Sequence, residues 1–303
     1  AKYWHEAVLP RVAARFPIGD PAVIGSASPS TVQAFYRKWY RPEFMGVAVI
    51  GDFAGCESAR IVAKISELFD LPRSLEDAPQ PLEPPLPGPG LASVLLQDSE
   101  AAACTVALEQ LAPMVLSPDV HHLEREVARR LFLTILDRRF SQLLRGGEEG
   151  GGAGNACPPS VLDLSAASRP LLPLLLCTSV NATVGTVQQS MESAVYEALV
   201  VIAREVARLV AHGIAEAEVA RAVSSWAPSY SGARPAPAAE LADDCLQHFR
   251  CRGRAPLAGA QAEAAACRDF LARGSDVRAA LKALALGFCP ALPGASWRVC
   301  VQC

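Results

Sequence analysis

The sequence predicts an α+β fold: two-layer domains in which long helices pack on one face of a mostly antiparallel sheet. Three observations predict it. Long apolar stripes recur at helical spacing. Short β-branched runs and one period-two segment mark strands. The two kinds of segment are mixed without a strict strand-helix-strand alternation, which argues against a parallel sheet.

The elements follow in chain order. Residues 1–15 read as one helix, with Trp4, Val8, Val12 and Phe16 about one turn apart and Pro17 and Gly19 as the stop. Ser28-Pro29 starts the next helix, since serine caps free amide groups and proline suits the first helical position. Val32, Phe35, Tyr36 and Trp39 fall on one face of it. Met45 to Ile50, closed by Gly51-Asp52, reads as a buried strand. A helix over about Cys56 to Phe69 would turn Ile61, Ile65, Leu68 and Phe69 inward.

Seven prolines between Pro72 and Gly90 exclude a helix and point to an extended linker. The expected organisation is therefore a domain remnant over 1–71, a linker over 72–91 and a second domain over 92–303. Ala92 to Leu96 and Ala103 to Leu108 read as strands. A helix from Ser117 to about Arg145 carries the stripe Phe132, Leu136, Phe140 and Leu143. Gly146 to Gly154 is a low-complexity loop. Val161 to Ala166 and Leu174 to Ala182 are further strands. A long helix over Thr186 to His212 buries Met191, Val195, Leu199, Ile202, Val206 and Leu209, and Gly213 ends it. Helices over Glu216 to Trp226, Pro237 to Arg250 and Ala260 to Leu271 follow. Ser296 to Gln302 sets Trp297, Val299 and Val301 against Arg298 and Cys300, a period-two strand.

Bulk composition narrows the function classes. Apolar residues make up 51% of the 303, so a sizeable core can form. A net charge of −3 offers no basic field for nucleic acid or an acidic membrane surface. No apolar run is long enough to span a bilayer, and Pro173 interrupts the nearest candidate, Pro170 to Val180. No secretory leader is visible before the first helix, and the chain opens on Ala1, as a processed protein or a fragment would. The ten cysteines are scattered singly, the pattern expected of buried free thiols in a reducing compartment. An intracellular or organellar location (chloroplast or mitochondrion) is thus favoured over secretion.

One string is specific. Arg15-Phe16-Pro17-Ile18-Gly19 precedes Phe35-Tyr36, Trp39-Tyr40, Pro42, Met45 and Val49-Ile50-Gly51-Asp52. It resembles the segment R-x-P-I-G, F-Y-x-x-W-Y-x-P-x-x-M and V-x-G-D of the pitrilysin/insulinase family of zinc metallopeptidases. Leu209, Gly213, Ile214, Glu218 and Val219 are similar to a later passage of that family, and the region from Asp243 to Phe249 fits more weakly. Gly51-Asp52-Phe53 and Ser99-Glu100-Ala101 lie nearest its PqqL-like branch. The resemblance implies the fold of processing peptidases and LuxS-like metalloproteases. In its enzymes, H-x-x-E-H on a helix supplies two histidine ligands and a general-base glutamate, and zinc acidifies a bound water.

No H-x-x-E-H occurs in this sequence. In the closest string, His121-His122-Leu123-Glu124-Arg125, the last ligand position is an arginine, which binds no cation. His5-Glu6 would need histidine at position 9, which is Leu9, and Glu6 lies after the place where the family's third ligand is expected. Cys245-x-x-His248-x-x-Cys251 lacks an obvious fourth ligand. Cys300-x-x-Cys303 lacks the second pair a zinc ribbon needs, and a strand points the two thiols to opposite faces. Asn181-Ala182-Thr183 fits a glycosylation acceptor without a secretory signal to support it.

The expectation is therefore a chain with no catalytic, cofactor-binding or metal-ligating residues of its own. Zinc would belong to the full-length parent, and this chain would wall a chamber that holds peptide, beside other family domains. The alternative is a non-catalytic family member of the processing-peptidase or respiratory core-subunit kind. An unrelated alanine-rich helical protein is a third possibility. The truncated first domain is expected to expose apolar surface.

Overall fold

In a computed structural model, the structure describes residues 2–14, 19–55, 57–70, 88–97, 103–114, 120–146, 157–172, 175–185, 190–230, 237–250, 260–291 and 294–303. The linker over 72–87, the glycine-rich loop over 147–154, the Arg15–Ile18 part of the specific string and the Ser99–Ala101 segment fall outside them.

The helices are α1 (Lys2–Val8), α2 (Pro10–Ala13), α3 (Pro21–Ser26), α4 (Pro29–Trp39) and α5 (Ser58–Leu68) in the first part of the chain. The first strands are β1 (Gly90–Leu96) and β2 (Cys104–Pro113), followed by α6 (Val120–Gly146). Then come β3 (Val161–Leu172), β4 (Leu175–Val184), α7 (Met191–His212), α8 (Glu216–Trp226) and α9 (Ala238–Arg250). The last elements are α10 (Ala260–Ala272), α11 (Gly274–Gly287) and β5 (Ser296–Gln302).

These five strands pair into one sheet of order β1-β5-β2-β4-β3. Only β1 and β5 run parallel; the other pairings are antiparallel. Alternation along each strand decides what each face carries. Cys104, Val106 and Leu108 of β2, Val180 and Ala182 of β4 and Trp297 of β5 meet the buried sides of α6, α7, α10 and α11 in the main core. Trp297 is fully buried there, edge-to-face with Phe288 at 4.9 Å between ring centroids. The expected α+β layering is thus observed. The sheet's other face carries a second, smaller cluster of Ala107, Leu111, Leu175, Cys177 and Cys300, covered by Trp4, Val8 and Leu9 of the α1–α2 segment.

Most local expectations hold. Ser28 Oγ accepts a hydrogen bond from the Thr31 amide at 3.2 Å and Pro29 opens α4. Gly213 ends α7 at φ 67°, a backbone conformation that favours glycine. Phe132, Leu136 and Phe140 of α6 are buried.

Several expectations need correction. The single helix over 1–15 breaks at Leu9, because proline disfavours helical geometry in the residue before it. Met45 to Ile50 is not a strand: no described segment pairs with it, and without a ladder Val47 and Val49 stay exposed while Met45 and Ile50 are half-buried. Gly46 lies beneath the Phe249 ring of α9, where an added Cβ would fall 2.8 Å from Cδ2. Helix α11 was not expected from the sequence, and its Val277, Leu281 and Ala285 are part of the main core. Finally, the cysteines are not all free: Cys104 at the head of β2 and Cys303 after β5 form a disulfide, with Cα atoms 4.2 Å apart. The antiparallel β2–β5 register brings those two positions together.

The first part of the chain is different in kind. Val32, Phe35, Tyr36 and Trp39 of α4 share one face, as expected, but that face is open: Phe35 is 58% and Tyr36 57% exposed. Ile61 and Ile65 of α5 are half-buried, whereas Leu68 and Phe69 are exposed.

Candidate functional site

Helix α6 begins with the string His121-His122-Leu123-Glu124-Arg125. Leu123 turns into the core, so the polar residues around it line the mouth of a groove between α6 and α11. The groove has a volume of about 790 Å³ and a mainly apolar floor that includes Leu176, Phe270, Ala280 and Leu284. Its rim is charged but largely neutralised. Glu124 accepts hydrogen bonds from Arg273 and, at 3.1 Å, from His121 Nδ1. Glu126 pairs with Arg129 and Arg130. Burial alone would raise the Glu126 carboxyl, but the hydrogen bond and charge of Arg129 outweigh it and hold it below its ordinary value.

These donors do not fit a zinc ion. Glu124 is already committed to a guanidinium, and Arg125 stands where a third ligand would be needed. Among the described residues no group of three His, Cys, Asp or Glu side chains is placed to hold a metal. Cys245 and His248 lie on α9, while Cys251 falls outside the described residues. Cys300 and Cys303 separate to opposite sides of the sheet, Cys300 to the smaller cluster and Cys303 to its disulfide with Cys104. His5 and Glu6 sit on α1 beside the buried Trp4. Asn181 lies in β4, paired on both sides, so its backbone is held in the sheet.

Two polar centres were not anticipated. Between α6, α7 and α8, Arg139 donates Nε and Nη2 to the Glu218 carboxylate at 2.7 and 2.8 Å, and Nη2 also to the Gly213 carbonyl at 2.8 Å. Glu218 accepts from the Ala215 amide at 2.8 Å as well, which caps α8. The Arg139 hydrogen bond is the main reason the Glu218 carboxyl lies below its ordinary value. Glu218 stood in the string that suggested the family; its partner, 79 residues away, left no local signal.

The second centre is Glu109, a buried carboxylate in the middle of β2. It accepts from Trp4 Nε1 at 2.8 Å and from Cys300 Sγ at 3.2 Å. Burial first, and the neighbouring Glu109 charge second, raise the Cys177 thiol to about 12 and push Cys300 up as well. Both thiols are inert as nucleophiles in this state. Sequence reasoning missed it because the strand read from the sequence ended at Leu108, one residue short of Glu109, whereas β2 runs on to Pro113. The first centre ties three helices together, and the second sets a buried thiol against a buried carboxylate beneath the α1–α2 segment.

No helix among the described residues is long and apolar enough to cross a membrane. The model of the family described as the Peptidase M16 inactive domain matches residues 26–225. The probable zinc protease PqqL of Haemophilus influenzae is 48% identical over 42 residues, covering 14% of this chain and 4% of that protein. The probable zinc protease PqqL of Escherichia coli is 24% identical over 134 residues, 44% of this chain and 14% of that protein. The crystal structure of the first half of the periplasmic protease PqqL from Escherichia coli superposes with a TM-score of 0.72 at 16% identity, over 96% of this chain and 58% of that one. At that identity the superposition speaks for the fold. The matches thus span only a small part of the curated relatives. They also correct the expectation of an intracellular or organellar location, because the structurally similar PqqL protein is periplasmic. The Cys104–Cys303 pair removes the physical ground of that expectation, which was a set of wholly reduced thiols.

Proposed function

Since the chain belongs to the M16 peptidase family, through its inactive domain, we propose that it works as wall and not as blade. It would enclose peptide in a zinc-dependent metalloendopeptidase whose metal site is supplied by other residues of the parent protein. The observation that carries this reading is the match of residues 26–225 to the inactive-domain model in a sequence without H-x-x-E-H. The similarity to proteins named as zinc proteases supports the chemistry assigned to the parent.

The open apolar face of α4, with Phe35, Tyr36 and Trp39, supports contact with further family domains, since exposed aromatic surface of this kind marks an interface. Residues 1–71 would then be the end of a zinc-type domain, 72–91 the linker, and 92–303 the metal-free domain.

The test is metal analysis and peptide hydrolysis on the purified 303-residue chain. Dialysed protein is expected to retain substoichiometric zinc and to leave a quenched-fluorescence peptide library uncut. Stoichiometric zinc together with chelator-sensitive cleavage would overturn the proposal.

A further inference from the structure

The smaller cluster has an unusual construction. Its sheet half is Ala107, Leu111, Leu175, Cys177 and Cys300, and its cover is Trp4, Val8 and Leu9, from a segment more than eighty residues before β1. Leu9 is 1% exposed and Val8 5%, so the fit is close. At its centre a carboxylate has been taken out of water, which is costly unless donors replace the lost hydration. Two donors face Glu109: the indole N–H of Trp4 at 2.8 Å and the Cys300 thiol at 3.2 Å. A thiol is a weak donor, so the indole carries most of the compensation. The Arg169 guanidinium lies 5.4 Å from the Trp4 ring centroid and adds a cation–π contact from the sheet side.

We infer that residues 2–9 form a latch docked on the second face of the sheet, and that the Trp4–Glu109 hydrogen bond is its pin. The latch is separable from the main core, because its cover contributes to the smaller cluster alone, while α6, α7, α10 and α11 hold the other face. Lifting it exposes Glu109, Cys177 and Cys300 together. The interaction surface is thus the sheet face, and its occupant is this chain's own first helix. The inference does not depend on the proposed role in a peptidase.

Three buried thiols make it testable. Cys177 and Cys300 lie under the latch, and Cys267, 2% exposed, lies in the main core on the opposite side. The experiment is native-state labelling with N-ethylmaleimide, followed by peptide mass spectrometry of each cysteine, on the full chain and on Trp4→Phe, Trp4→Ala and Glu109→Gln. Trp4→Phe keeps an aromatic ring, though a smaller one, and removes the donor, whereas Glu109→Gln keeps an acceptor. Losing a hydrogen bond to a buried charge should speed Cys177 and Cys300 labelling in Trp4→Phe by on the order of ten-fold or more. Trp4→Ala should exceed that, Glu109→Gln should fall short of it, and Cys267 should keep its original rate in all three. The latch is refuted if Cys300 labels at the wild-type rate in Trp4→Ala. It is equally refuted if Cys267 accelerates in step with Cys300, which would mean that the molecule opens only as a whole.

Discussion

Arg139 shows how a single side chain can tie three helices. Its guanidinium binds the Glu218 carboxylate through two nitrogens and the last carbonyl region of α7 through Gly213, while both side chains are less than one-fifth exposed. Glu218→Gln should therefore cost about 1–3 kcal/mol in urea unfolding, the range for a hydrogen bond to a charged, partly buried partner. The pH dependence has a definite sign. The folded-state value of Glu218 is lowered from about 4.5, so its contribution is complete above that value and fades as the pH falls through the lower one. The gap between wild type and Glu218→Gln should narrow on acidification below the ordinary carboxylate range and stay constant above it; a gap that widens in acid would contradict the assignment. Glu218 was legible in the sequence as part of a family string, but Arg139 was one of many helix arginines until the fold placed it. Trp4 was legible as an inward residue, and what it meets was not, because a strand 105 residues later supplies the partner.

Helices were read well where burial follows a stripe of large residues, as on α6, and less well where alanine does the packing. On α7 the deepest positions are Ala194 and Ala198, whose small side chains let the helix approach the sheet, and the expected Met191, Val195 and Leu199 sit only at its margin. Helix α4 presents the opposite case: its apolar face was identified correctly, but pattern alone cannot say whether anything covers it. Since Phe35 and Tyr36 are more than half exposed, replacing both with serine should leave the melting transition within about 0.5 kcal/mol of wild type, as for surface positions generally. The same change should lower self-association in sedimentation velocity. A large loss of stability would show that this face is packed in solution.

Across the whole molecule, fold class was accessible because alternating strands and amphipathic helices announce themselves locally. Strand order was not, since β5 is inserted between β1 and β2 and nothing near Ser296 encodes its neighbours. The Cys104–Cys303 bridge has the same character, joining thiols 199 positions apart. A bridge closing so long a loop has a chain-entropy value of up to about 5 kcal/mol, and typical measured values are about 2–4. Cys303→Ser should lower the melting temperature relative to the oxidised wild type and abolish the effect of added reductant; an unchanged melt would show that the bridge contributes nothing. The position of β5 also sets a schedule for biosynthesis. β1 leaves the ribosome about two hundred residues before β5, the strand it pairs with among the described residues, a delay of roughly 10 to 40 seconds at the usual pace of about 5–20 residues per second. Until translation has passed residue 302, the hydrogen-bonding edge of β1 that β5 will take stands open in the nascent chain, an adhesive edge that chaperones would have to shield.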